Sequence, residues 1–111
     1  MDFEGGNDKK FAVLAYELIG TCVFMYTILI TGVSAAGAYA GAFEGMYFCL
    51  LLITWKVSGG HFNPALTVST FISKKKFKEN AALLILMVAG QLVGAFLGWF
   101  WAWLTLMDKD Y

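Results

Sequence analysis

Ser58-Gly59-Gly60-His61-Phe62-Asn63-Pro64-Ala65-Leu66-Thr67 is the stretch whose reading decides the fold. It is polar and glycine-rich, and it interrupts a chain otherwise made of long apolar runs. Asn63 before Pro64 reads as a helix start. The Asn side-chain oxygen accepts a first-turn N–H, and Pro suits the first helical position because its missing N–H goes unused there. The helix that follows, Ala65 to about Ser73, is roughly 13 Å long, about half of a hydrocarbon core. A short helix entered by a Gly-rich loop between longer spans is the pattern of a re-entrant half-helix. Such a loop lies at membrane depth only where protein buries it or it lines a water-filled cavity.

The rest of the chain supplies the spans. Of 111 residues, 59% are hydrophobic and 14% charged, with a mean hydropathy of +0.67. Soluble domains carry nearer a quarter charged residues. This composition points to an integral membrane protein of the all-α class. Residues 1–10 read as a polar, disordered cytoplasmic tail ending in Lys9-Lys10. The run from Ala12 to Val33 is a first span with one charge, Glu17, and continues too long for a cleavable signal. Residues 34–39 read as a short loop. A second span must run from about Ala38 to Val57, taking in Glu44 at headgroup or cavity level and Lys56, which can snorkel. Ala81 to Met107 is a third span, with Trp99, Trp101 and Trp103 at its far end, as at a membrane interface. Residues 108–111 would then lie outside.

All eight basic residues are lysines. Three crossings, with the half-helix returning to the side it left, place Lys9, Lys10, Lys56, Lys74, Lys75, Lys76 and Lys78 together, opposite Lys109. Positive charge favours the cytoplasm, so the N-terminus is expected inside. No basic stripe on a soluble face points to nucleic acid. Cys22 and Cys49 sit in apolar runs and read as small hydrophobes, while His61 has no partner ligands for a metal. No cofactor site and no nucleophile–base pair suggests an enzyme.

The opening stretch closely resembles the first Asn-Pro-Ala segment of the aquaporin and glycerol-facilitator, or major intrinsic protein, family. Glu17-Leu18-Ile19-Gly20-Thr21 resembles that family's first-span Glu-x-x-x-Thr pattern. Gln91-Leu92-Val93-Gly94-Ala95, with Gly98, resembles its third-span segment. The resemblance implies half of an inverted repeat: three transmembrane helices and one re-entrant half-helix. The family's second Asn-Pro-Ala and its filter Arg have no counterpart here. A passive channel for water or small neutral solutes is therefore expected as a half-length chain, truncated or split, that needs a second half. Its setting would be a multi-pass plasma-membrane protein, tetrameric by family. Self-pairing as an inverted copy is disfavoured by the lysine asymmetry. The alternative is a non-transporting protein that associates with full-length relatives through its helices.

The same resemblance assigns roles. Asn63 would donate to passing water beside Pro64 and Ala65. The carbonyls of Gly59, Gly60, His61 and Phe62 would form an acceptor ladder, with His61 itself a structural loop residue. Phe43 stands where the family's filter takes an aromatic; a lipid- or core-facing ring fits the residue equally well. Glu17 is an ionisable group within a span and needs a partner. By resemblance it braces a re-entrant loop, either this one or that of the other half. Gln91 reads as a hydrogen-bonding residue against a neighbouring helix, because a lone amide in lipid is costly. Gly90, Gly94 and Gly98 form a small-residue ridge suited to packing within the fold or to a subunit interface.

Overall fold

The computed structural model describes residues 7–33 and 40–107, which form four helices and no strand. Helix α1 spans Asn7–Val33, α2 Ala40–Thr54, α3 Pro64–Lys74 and α4 Phe77–Leu106. The expected 34–39 loop and the 108–111 end lie outside the described residues.

Polar ends shift the boundaries from those that hydropathy marks. Helix α1 begins five residues before the apolar run, so 7–10 is helical rather than tail; Asn and Asp are favoured at helix starts. Helix α4 likewise begins at Phe77, with Glu79 in its first turn. Helix α2 stops at Thr54, short of the expected Val57. Both Val57 and Ser58 turn their N–H back onto the Thr54 carbonyl at 2.9 Å, which redirects the chain into the Gly-rich loop. At 15 residues α2 is about 22 Å long, less than a hydrocarbon core. Among the described residues, helices α1 and α4 are long and apolar enough to cross a membrane.

Packing is organised by α1 against α4. An added Cβ at Gly90 would meet Leu14 Cδ1 at 2.8 Å; at Gly94 it would overlap the Leu18 carbonyl, and at Gly98 the Cys22 carbonyl. The ridge is therefore taken up inside the chain, backbone against backbone. Since the contact positions advance together along both helices, α1 and α4 run parallel. The small buried cluster of Val13, Leu83 and Met87 closes the lower end of this seam. Helix α2 leans on α1 through Phe24, whose ring lies 5.4 Å from those of both Phe43 and Tyr47. Large apolar side chains such as Leu52, Ile53, Ile85, Leu92 and Phe96 point outward. Such a surface suits lipid or a further protein face, not water.

The ridge yields a comparison. Gly94→Ala places a methyl against backbone that cannot step aside, and should cost about 1–3 kcal/mol. In Gly45→Ala the new methyl meets nothing within 4 Å, so the higher helix propensity of Ala should leave stability unchanged or raise it by up to about 1 kcal/mol. Thermal unfolding of both variants in detergent checks this; equal melting temperatures would refute the close seam.

Candidate functional site

Three residues far apart in sequence converge behind the Gly-rich loop. Glu17, on the inner face of α1, has no exposed surface. Its Oε1 accepts the backbone N–H of His61 at 3.1 Å, and its Oε2 accepts that of Phe62 at 2.8 Å. Gln91, on α4 and 1% exposed, donates through Nε2 to Glu17 Oε2 at 2.7 Å and to Thr67 Oγ1 at 2.8 Å. Glu17 thus reaches the Gly-rich loop of this same chain. All three of its partners are donors, which suits a carboxylate, an acceptor only. The adjoining N-terminus of α3 adds the positive end of a helix dipole.

Thr67 ties the loop to the half-helix. Its single hydroxyl proton goes to the Asn63 carbonyl at 3.0 Å, one turn back. Its lone pairs then accept from Gln91 Nε2 and from His61 Nδ1, which is 3.1 Å away. This assignment, made from the network, protonates His61 at Nδ1 and leaves Nε2 as an acceptor.

The loop needs this support because its backbone is unusual. Gly59 and Gly60 have φ of 87° and 61°, and Phe62 has φ of 48°, a region that bulky residues rarely enter. A Cβ on Gly60 would press on Leu51 Cδ2 at 2.7 Å. Phe62 is held there from two sides. Its N–H is bound by Glu17, and its ring fills the space that a side chain at Gly20 would occupy. Ser58, fully buried, accepts the Gly60 N–H at 3.2 Å and tightens the turn.

Asn63 sits on the far side of this scaffold. It is exposed and caps α3, with φ −150° and ψ 120°, and its Oδ1 accepts the Ala65 N–H at 2.8 Å. That bond commits the carbonyl end of the amide to the first turn of α3 and leaves the NH₂ end out of the cap. Pro64 occupies the first turn and Ala65 is exposed. Beside them, Gly59, His61, Leu66, Thr70, Trp55, Lys56 and Lys74 line a cleft of about 500 Å³.

The structure therefore gathers Glu17, Gly59, Gly60, His61, Phe62, Asn63, Pro64, Ala65 and Gln91 around one loop. Gly90, Gly94 and Gly98 lie on the α1 seam instead. Phe43 lies apart, against Phe24. Three contributors were not singled out from the sequence: Thr67, Gly20 and Ser58. Thr67 follows Asn63 by four residues, the spacing of a hydroxyl that returns to a helix carbonyl, so a signal was present. The niche at Gly20 had none, since it depends on a ring 42 positions away. Among the described residues, no group of three His, Cys, Asp or Glu side chains could hold a metal.

A parallel pair of helices and a short, Asn-capped helix behind a carboxylate-braced loop can be set beside known proteins. The family model described as Major intrinsic protein matches residues 14–109. The chain belongs to that family. It is 34% identical to the probable aquaporin PIP2-4 of Arabidopsis thaliana, over 78% of this chain and 34% of the relative. It is 32% identical to aquaporin PIP2-4 of Oryza sativa subsp. japonica, over 86% of this chain and 39% of the relative. Identity to the probable aquaporin PIP1-5 of Arabidopsis thaliana is 37%, over 86% and 37%. The chain thus spans between a third and two-fifths of the length of these relatives. No solved structure matches it.

Replacing Glu17 tests the brace. Glu17→Ala leaves two backbone N–H groups and one of the two Gln91 amide N–H groups without their acceptor, at about 1–3 kcal/mol for each buried group. Amide exchange at His61 and Phe62 should then rise by at least about tenfold, the rate equivalent of 1.4 kcal/mol. Exchange in the middle of α4 is the reference. Unchanged protection at both amides would show that Glu17 does not hold the loop.

Proposed function

We propose that this chain supplies one half of a passive membrane channel for water or small neutral solutes. The second half-helix would come from a further segment of the same polypeptide or from another chain. The observation that carries this reading is the pose of Asn63: it is exposed, with its amide oxygen capped onto the start of α3, beside a loop braced by Glu17 and Gln91. An N–H donor out of the cap, at the positive end of a short helix, offers passing water a hydrogen bond while opposing cations.

Around that core the reading is as follows. Helices α1, α2 and α4 cross the bilayer, α2 by way of its turn residues, and α3 re-enters. Carbonyls of Gly59 to Phe62 serve as acceptors along the path, and Phe43 supplies an aromatic wall at its narrow part. The parallel run of α1 and α4 supports placing the N-terminal lysines with those of the α3–α4 turn, which by the distribution of positive charge is the cytoplasmic side. A plasma-membrane location and a tetrameric assembly belong to the same proposal and rest on the family resemblance alone. Association without transport is less well supported, because the glycine ridge that would dock onto a relative is already covered by α1.

Osmotic swelling of proteoliposomes tests the proposal. The chain is reconstituted with the C-terminal half of an aquaporin relative, and each half is also reconstituted alone. The expected result is water flux from the pair, with most of it lost in Asn63→Asp. That variant keeps the helix cap but replaces the amide donor with a charge. Full flux through Asn63→Asp, or none from the pair despite co-purification, would sink the proposal.

A further inference from the structure

One end of the molecule carries charge that the channel reading does not use. Helix α3 ends at Lys74, and α4 begins at Phe77, so only Lys75 and Lys76 link them. Lys75 holds the left-handed cap position, φ 55°, with its N–H on the Ile72 carbonyl at 3.3 Å. Phe71 and Phe77 meet edge to face at 5.4 Å and clamp the two helices across the turn. The turn is thus a fixed corner that presents Lys75, Lys76 and Lys78 on its exposed surface. Lys56, exposed at the end of α2, joins them from across the cleft it shares with Lys74. Among the described residues, the carboxylate beside these lysines is Glu79, whose Oε2 is 4.0 Å from Lys76 Nζ in an exposed pair. Exposed pairs of this kind hold little energy.

Aromatic residues accompany the charge. Phe77 is 51% exposed between Lys76 and Lys78, and Trp55 is 66% exposed beside Lys56. Aromatic and basic residues adjoining the ends of membrane-capable helices lie at the depth of lipid headgroups, where the ring enters the acyl boundary and the ammonium meets phosphate. The N-terminal end of α1 brings Lys9 and Lys10 to the same side, but Asp2, Glu4 and Asp8 offset them in sequence. Among the described residues, the α3–α4 corner is where exposed lysines cluster.

We propose that this corner is a binding surface for the headgroups of anionic phospholipids. Lys75, Lys76 and Lys78 are the charge donors, Phe77 is the interfacial anchor, and Lys56 with Trp55 form the second wall. Clusters of this size beside a membrane helix attract the anionic leaflet with about 1 kcal/mol, a factor of roughly five, for each lysine. The inference requires that the chain be embedded in a bilayer. It does not require that the chain conduct, so its success or failure is separate from that of the channel.

The test is lipid retention by the purified full chain in neutral detergent, read by native mass spectrometry after titration with phosphatidylserine or phosphatidylcholine. Preferential retention of phosphatidylserine, weakened by raised salt, is expected. In the triple variant Lys75→Gln, Lys76→Gln, Lys78→Gln, affinity should fall by roughly fivefold per lysine. The triple Lys→Arg variant should retain it, and Glu79→Gln should bind more tightly. The Arg triple and Glu79→Gln keep the question answerable if the Gln triple does not fold. Equal retention of the two lipids, or no response to either the Gln triple or Glu79→Gln, would overturn the proposal. So would complete displacement of phosphatidylserine by millimolar inorganic phosphate, which would reassign the corner to free phosphate.

Discussion

The two oxygens of Glu17 answer the problem that a loop among apolar helices creates. A backbone that leaves helical geometry inside an apolar layer exposes N–H groups which neither lipid nor its own segment can satisfy. Here the N–H groups of His61 and Phe62 end on one carboxylate, and Gln91 supplies that carboxylate with a third donor. Removing the carboxylate would orphan three donors at once. Removing the donors would leave a buried charge unpaired. The loop, α1 and α4 are mutually dependent at this point, and the pose of Asn63 depends on all three.

Close packing makes that convergence possible. Side-chain hydrogen bonds from α1 and α4 to a common loop require the two helices to be near each other, and Gly90, Gly94 and Gly98 permit backbone-to-backbone approach. Gly20 performs the same service on the other face by leaving room for the Phe62 ring. Phe62 can then keep its left-handed conformation, because its N–H is bound and its ring is 3% exposed. Strain of this kind persists where the surroundings over-determine it. Small residues in α1 and α4 thereby act on the geometry of a loop they flank.

Much of this was legible in the chain because it is local chemistry. Asn63-Pro64 is a cap followed by a first-turn residue in both the sequence and the structure, and the family motifs around it depend on short spacings. Hydropathy located the interiors of α1 and α4 but not their ends, since polar residues such as Lys9 and Lys78 continue a helix readily once it has begun. It overextended α2, because the turn at Thr54 is set by hydrogen bonds into the next loop and not by loss of apolar character. Long-range relations were the illegible part. That Glu17 reaches residues 44 and 45 positions away, that Thr67 joins Gln91 to His61, and that Gly20 houses Phe62 are facts of tertiary packing.

The central claim is that Glu17 and Gln91 act as one unit in holding the loop that leads into α3. A double-mutant cycle over Glu17→Gln and Gln91→Leu, read by reversible unfolding in detergent, addresses it directly. The account predicts a coupling of at least about 1 kcal/mol, within the range for residues that share a buried hydrogen-bond network. Additivity to within about 0.5 kcal/mol would contradict it, leaving the two residues as independent neighbours.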